Sequence, residues 1–225
     1  MFYKVLRLDG TPYHGGQGRW PLPNGQPAAW VEVSGDLVPC RHGLHLCARE
    51  HLVRWLGPAI FEAEYDGRMI DHGDKLVVAR ARLLRRLESW TPRTQRLFAA
   101  DCAVRALTRE RERGREPDAR SWAAIDVARR FARDEATEQE RAAAAYAAAA
   151  AYAAAAVAAD AAAYAAAAAY ADAAAYAAAA ADAAAAAAYA AAAAADAAAY
   201  AAAAADAERQ WQTDQLFRYL DGKLA

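Results

Sequence analysis

The side chains best suited to chemistry crowd into one stretch, "CRHGLHLCAREH", where Cys40, His42, His45, Cys47 and His51 fall within twelve residues. Thiolate and imidazole are the ligand types that zinc prefers. The spacing is unlike the common paired C-x2-C and H-x3-H arrangements. If "GLHLC" is extended, His45 and Cys47 share one side of a strand and His42 need not join them. Buried cysteines and core histidines satisfied by hydrogen bonds are the plainer reading. A second candidate joins Tyr13-His14, followed by Gly15-Gly16, to Glu62 and Glu64, two carboxylates at i, i+2 that could serve as acid and base. Its plainer counterpart is the solvent row of a strand. The chain holds no phosphate loop, dinucleotide fingerprint or nucleophile elbow. The expectation is therefore no metal, no cofactor, no catalytic residue and no enzyme.

The elements that must carry these residues read as a small strand-rich domain over residues 1–88. "FYKVLRL" stops at Asp9-Gly10, a turn dipeptide. "TPYHGGQGRWPLPNGQPAAW" has too much Gly and Pro for regular structure and predicts a loop pinned by Trp20 and Trp30. "WVEVSGDLVPC" gives two short extended pieces. "AREHLVRWLG" has helical spacing and ends at Gly57-Pro58. "AIFEAEYDG" alternates strictly, and "KLVVARARLLRRL" begins the same way, so both read as half-buried strands.

From Thr91 the period changes. Residues 89–117 read as a helix and connector, with Thr91 as cap, Pro92 in the first turn, and Leu97, Phe98, Cys102, Val104 and Leu107 on one side. Arg109, Arg111, Arg113 and Arg115 alternate with Glu110, Glu112 and Glu116 and read as a solvated face. Residues 118–225 read as a helical region. Asp118 can cap, and Trp122, Ile125, Val127 and Phe131 follow at helical spacing. No Gly or Pro occurs between Asp118 and Asp221, so nothing local is expected to stop a helix there.

Residues 142–207 contain only Ala, seven Tyr, five Asp and Val157. Alanine is the best helix former, so this tract predicts one very long helix, about 100 Å if straight. On a helical wheel Tyr146, Tyr164, Tyr189 and Tyr200 fall on one side with Val157, Tyr152 and Tyr170 on a second, and Tyr176 on a third. No polar face separates from an apolar one, and no Lys or Arg is present to form i, i+4 pairs. Such a surface predicts packing against other helices, and without a turn signal those helices come from other copies. Downstream, Trp211, Leu216, Phe217 and Leu220 form an amphipathic docking face that Gly222 can close.

The chain of 225 residues has a net charge of −1, and the tract alone contributes −5. Neither part has the basic excess of a nucleic-acid binder. Three cysteines imply no disulfide framework and fit a reducing compartment. The opening residues lack the apolar run of a signal peptide. An Asp every ten to fourteen residues of the tract argues against membrane insertion, since each costs about 2.5–3.5 kcal/mol at mid-bilayer. The expectation is a cytoplasmic chain.

"VPCRHGLHLCAREHLVRWLGPAIFEAEYDG" with "DKLVVARARLLRRL" resembles a bacterial and phage domain of unknown function with the pattern C-x-x-G-(F/L)-H-x-C, E-x-E and D-K-x-V. Gly43, His45, Cys47, Glu64, Asp74 and Lys75 fall on that pattern. The resemblance spans roughly residues 1–88 and implies a module placed ahead of a repetitive tail. "RLFAADCAVRAL…DARSWAAIDVARRFARDEAT" is similar to the helical start of an immunity-protein family with Ala-rich helices.

The fold class expected is α+β: a strand-rich N-terminal domain, then helices and the long Ala-rich helix. The function expected is structural, a homo-oligomer or filament built through the tract tyrosines and Val157, with the N-terminal domain as an interaction module and an unidentified protein as a further partner. The alternatives are an immunity-like or phage-associated binder, and a nucleotide-handling transferase built on His14 and Glu64.

Overall fold

A computed structural model describes residues 1–114, 116–154 and 202–224. The chain divides into two compact units, Met1–Trp90 and Thr91–Ala225.

The first unit is organised by the alternating run that becomes β4 (Ala59–Asp71) and its partner β5 (Leu76–Arg86). They form a long antiparallel hairpin whose register slips at Glu62/Ala63 and again at Asp66/Met69. Such bulges bend and twist a strand, and the bent hairpin closes on itself. β1 (Phe2–Leu6) pairs with β4, with Phe2 opposite Ala63 and Leu6 opposite Ala59. β3 (Leu44–Ala48) pairs with β1 through Tyr3 and Cys47, and returns to β5 through His45 and Val77. The four strands thus complete a ring, and β2 (Val31–Glu32) adds beside β3 on β5. Closure removes the exposed edges that a flat sheet would leave.

The interior of this small barrel is Leu6, Leu46, Phe61, Val78, Ala81 and Leu83, each 2% exposed or less. Along β5 the expected alternation fails at its start, because Leu76, Val77 and Val78 are all buried. The barrel covers one face of that segment and the chain before β3 approaches the other, where the Cγ1 of Val77 leaves no room for a side chain at Gly43. The segment expected as a helix around Leu52 is a 3-10 helix, Arg49–Trp55, with Leu52 and Val53 buried.

The second unit is helical. α1 (Pro92–Glu112) begins with Thr91 and Thr94 in a reciprocal capping box and Pro92 in its first turn. α2 (Ala119–Ala132) starts at an Asp118 cap, α3 spans Glu138–Ala154 and α4 spans Ala202–Leu220. α1 packs on α2, α2 on α3, and α4 on α1.

Two expectations are corrected here. A helix does stop between Asp118 and Asp221 without Gly or Pro: α2 ends at Ala132 and Asp134 takes a left-handed conformation, φ 61°. A new N-terminus follows at once, where the Thr137 hydroxyl accepts from the Glu140 N–H and the Glu140 carboxylate accepts from the Thr137 N–H. The Arg-rich end of α1 is not simply a solvated face, since Arg109 and Arg105 both bind the Glu208 carboxylate at 2.8 Å and Glu208 is 2% exposed. Arg115 lies outside the described residues. The very long helix is not present among the described residues, where the longest helix is the 21-residue α1. Residues 155–201, which hold most of that expected helix, lie outside the described residues. The two described ends of the tract, α3 and α4, belong to the same compact unit. Among the described residues no helix is long and apolar enough to cross a membrane.

Candidate functional site

The cysteine–histidine stretch does not converge on a point. His42 lies after a tight turn closed by hydrogen bonds between Val38 and His42, and its Nε2–H donates to the Ser34 carbonyl at 2.7 Å. Cys40, at φ 62° within that turn, donates its backbone N–H to His45 Nε2 at 3.3 Å. That bond leaves the proton of neutral His45 on Nδ1. Burial, then the charges of Lys4 and Lys75, push the His45 pKa down, so the ring is neutral near pH 7. The Cys47 thiol donates to the Tyr3 carbonyl and burial pushes its pKa up to about 12. His51 sits apart on the 3-10 helix. Among the described residues no group of three or more His, Cys, Asp or Glu side chains is gathered as a metal ion would require.

The acid–base candidate is also dispersed. Glu62 and Glu64 each face an arginine across the hairpin, Glu62 with Arg85 and Glu64 with Arg82, and Asp66 continues the row with Arg80. The ring of Trp30 lies under the guanidinium groups of Arg80 and Arg82, 4.5 and 4.6 Å from its centre. This is a cross-strand charge ladder with an aromatic plate. His14 is held elsewhere: its Nε2–H is shared between the carbonyls of Trp55 and Leu56 at 2.8 and 3.0 Å, with the Trp55 ring edge-on to it.

What the fold does gather is an open cleft of about 530 Å3 in the barrel unit. β1 supplies Lys4, the Gly-rich loop supplies His14, the turn before β3 supplies Arg41 and His42, β3 supplies His45, and Lys75 enters from the start of β5. Trp20 and Trp55 form apolar walls. Lys4 is half-buried and donates Nζ to the His45 carbonyl at 2.9 Å, with the Trp20 ring centre 5.1 Å away. Desolvation lowers its pKa to about 8. Lys75 rests over the Trp55 ring at 4.9 Å, and the indole N–H of Trp55 donates to the Asp74 carbonyl. Sequence reasoning missed both lysines, although Lys75 lies on the D-K pattern. Their shared environment depends on the β1–β3 and β3–β5 pairings, which no local spacing reports.

Of the docking residues expected near the C-terminus, Leu216, Phe217 and Leu220 are buried in α4 and Trp211 is half-buried under the Arg105 guanidinium at 4.5 Å. The same helix buries polar groups that the apolar pattern did not mark. Asp101 accepts from Arg129, Gln215 and the Tyr219 hydroxyl at 2.6, 2.7 and 2.7 Å. Of the expected self-association residues, Tyr146 lies on α3 and is 74% exposed. Of Tyr152 only its place in α3 is described, and Val157, Tyr164, Tyr170, Tyr176, Tyr189 and Tyr200 lie outside the described residues.

Compared with known protein families, curated proteins and solved structures, the chain has no match in any of the three.

Proposed function

We propose that this chain is a structural, self-associating protein rather than an enzyme, in which the Ala-Tyr-Asp tract packs against copies of itself and the barrel unit is an interaction module. The observation that carries the reading is Tyr146. It is the first tyrosine of the tract and is 74% exposed, while the other described aromatic side chains of the helical unit are buried or half-buried. A phenol ring that projects from a helix of alanines offers area and a hydroxyl to a second surface. The tract's composition agrees, because 66 residues without a single cation leave its aspartates no partner within the segment.

Light scattering across a wide concentration range tests this. The expected result is a mass that rises with concentration to multiples of 24.1 kDa. Replacing the tyrosines of one side together, Tyr146→Lys, Tyr164→Lys, Tyr189→Lys and Tyr200→Lys, should return a folded monomer. A monomer at every concentration for the unmodified chain would overturn the reading.

A further inference from the structure

The barrel cleft is one-sided in charge. Among the described residues its lining includes Lys4, Lys75 and Arg41 together with His14, His42 and His45, and no Asp or Glu, although the chain contains 28 acidic residues. Elsewhere on this barrel several cations are neutralised at short range, as in the Glu62–Arg85, Glu64–Arg82 and Asp66–Arg80 pairs. The two cleft lysines are not. Among the described residues, Lys4 Nζ makes one hydrogen bond, to a neutral carbonyl, and Lys75 Nζ makes none and has no ion pair. Both are half-buried.

Withdrawing an ammonium group from water without a counter-charge is costly. The fold nevertheless holds both in place by resting them on indole faces, Lys4 on Trp20 and Lys75 on Trp55. A cation fixed beside a ring loses less freedom when it meets an anion. We propose that the cleft binds a small phosphate-bearing organic molecule, with Lys4 and Lys75 as the ligands of its phosphate and the Trp20 and Trp55 walls enclosing the remainder. The size agrees: about 530 Å3 falls within the range of small-molecule sites and is far larger than a bare ion needs. Arg41, exposed on the rim, adds to the field that draws an anion in. This site is independent of the tract and does not rest on self-association.

Calorimetric titration of the full chain with adenosine 5′-monophosphate, ribose 5-phosphate and inorganic phosphate tests the proposal. Saturable binding of at least one organic phosphate, tighter than inorganic phosphate, is expected. Lys4→Met and Lys75→Met should each weaken it by about tenfold or more, the usual consequence of losing a charge-assisted hydrogen bond. An independent readout is Cys40, an exposed free thiol in the cleft lining, whose alkylation should slow when the organic phosphate is present. No saturable binding of either organic phosphate, binding no tighter than that of inorganic phosphate, or binding unchanged in a folded Lys75→Met protein would each overturn it.

Discussion

Lys4 shows how one side chain can be costly to the fold and useful to a site. Folding lowers its pKa from 10.5 to about 8, chiefly by desolvation. Below pH 8 the amine is charged in both states and the burial cost is fully present. Between about pH 8 and 10.5 the unfolded chain keeps a proton that the folded chain has released, so this group makes stability rise with pH. Cys47 works in the opposite sense above pH 9, because its thiol stays protonated only in the fold. Comparison with Lys4→Met isolates the lysine: the variant should be more stable than the parent near pH 7, and its advantage should shrink toward pH 10.5 in urea titrations. At Gly43 the constraint is steric. An added Cβ would lie 2.4 Å from Val77 Cγ1 and 3.2 Å from Leu37 Cδ2 at φ 135°. Gly43→Ala should cost about 2 kcal/mol or more by overpacking and backbone strain, read as a lower melting temperature of the barrel unit.

At the scale of elements, α4 is fastened to α1 by two acidic side chains as well as by its apolar face. Glu208 reaches back to Arg105 and Arg109, and Asp101 collects Arg129, Gln215 and Tyr219. Burial, then hydrogen bonding to the Asp101 carboxylate, pushes the Tyr219 pKa up. Asp101→Ala leaves three polar groups, on Arg129, Gln215 and Tyr219, without this acceptor. It should cost about 2–4 kcal/mol and expose α4 to limited proteolysis while α1 and α2 remain resistant. The break between α2 and α3 has a different origin. Thr137 and Glu140 cap each other's ends of the first turn, so Thr137→Ala should cost about 1 kcal/mol, measurable as reduced protection of α3 amides in hydrogen exchange. That box was legible as T-x-x-E in the sequence. It contains neither Gly nor Pro, and a left-handed Asp134 and a cap do the stopping.

At the scale of the whole molecule, the division at Trp90/Thr91 separates a barrel with its own closed strand ring and core from a set of helices with theirs. Residues 1–90 expressed alone should therefore fold, keeping the near-ultraviolet signal of buried Trp20 and of Trp90, whose indole N–H is held by the Gly57 carbonyl at 2.8 Å. A featureless spectrum from that fragment would show that the barrel depends on the helices.

Composition and period were enough to determine the α+β class, the strand character of β4 and β5, the start of α1 at Thr91-Pro92 and the amphipathic character of α4. Each is written in residues close together in the chain, where propensity, alternation and caps act. What only the tertiary structure decided is where charge and apolar surface meet. Glu62 and Glu64, which resembled an acid–base pair, are neutralised by arginines some twenty residues away. Lys4 and Lys75, inconspicuous as letters, come together because β3 lies between β1 and β5. Pairing between distant strands sets each group's neighbours and desolvation, and local sequence carries no record of either.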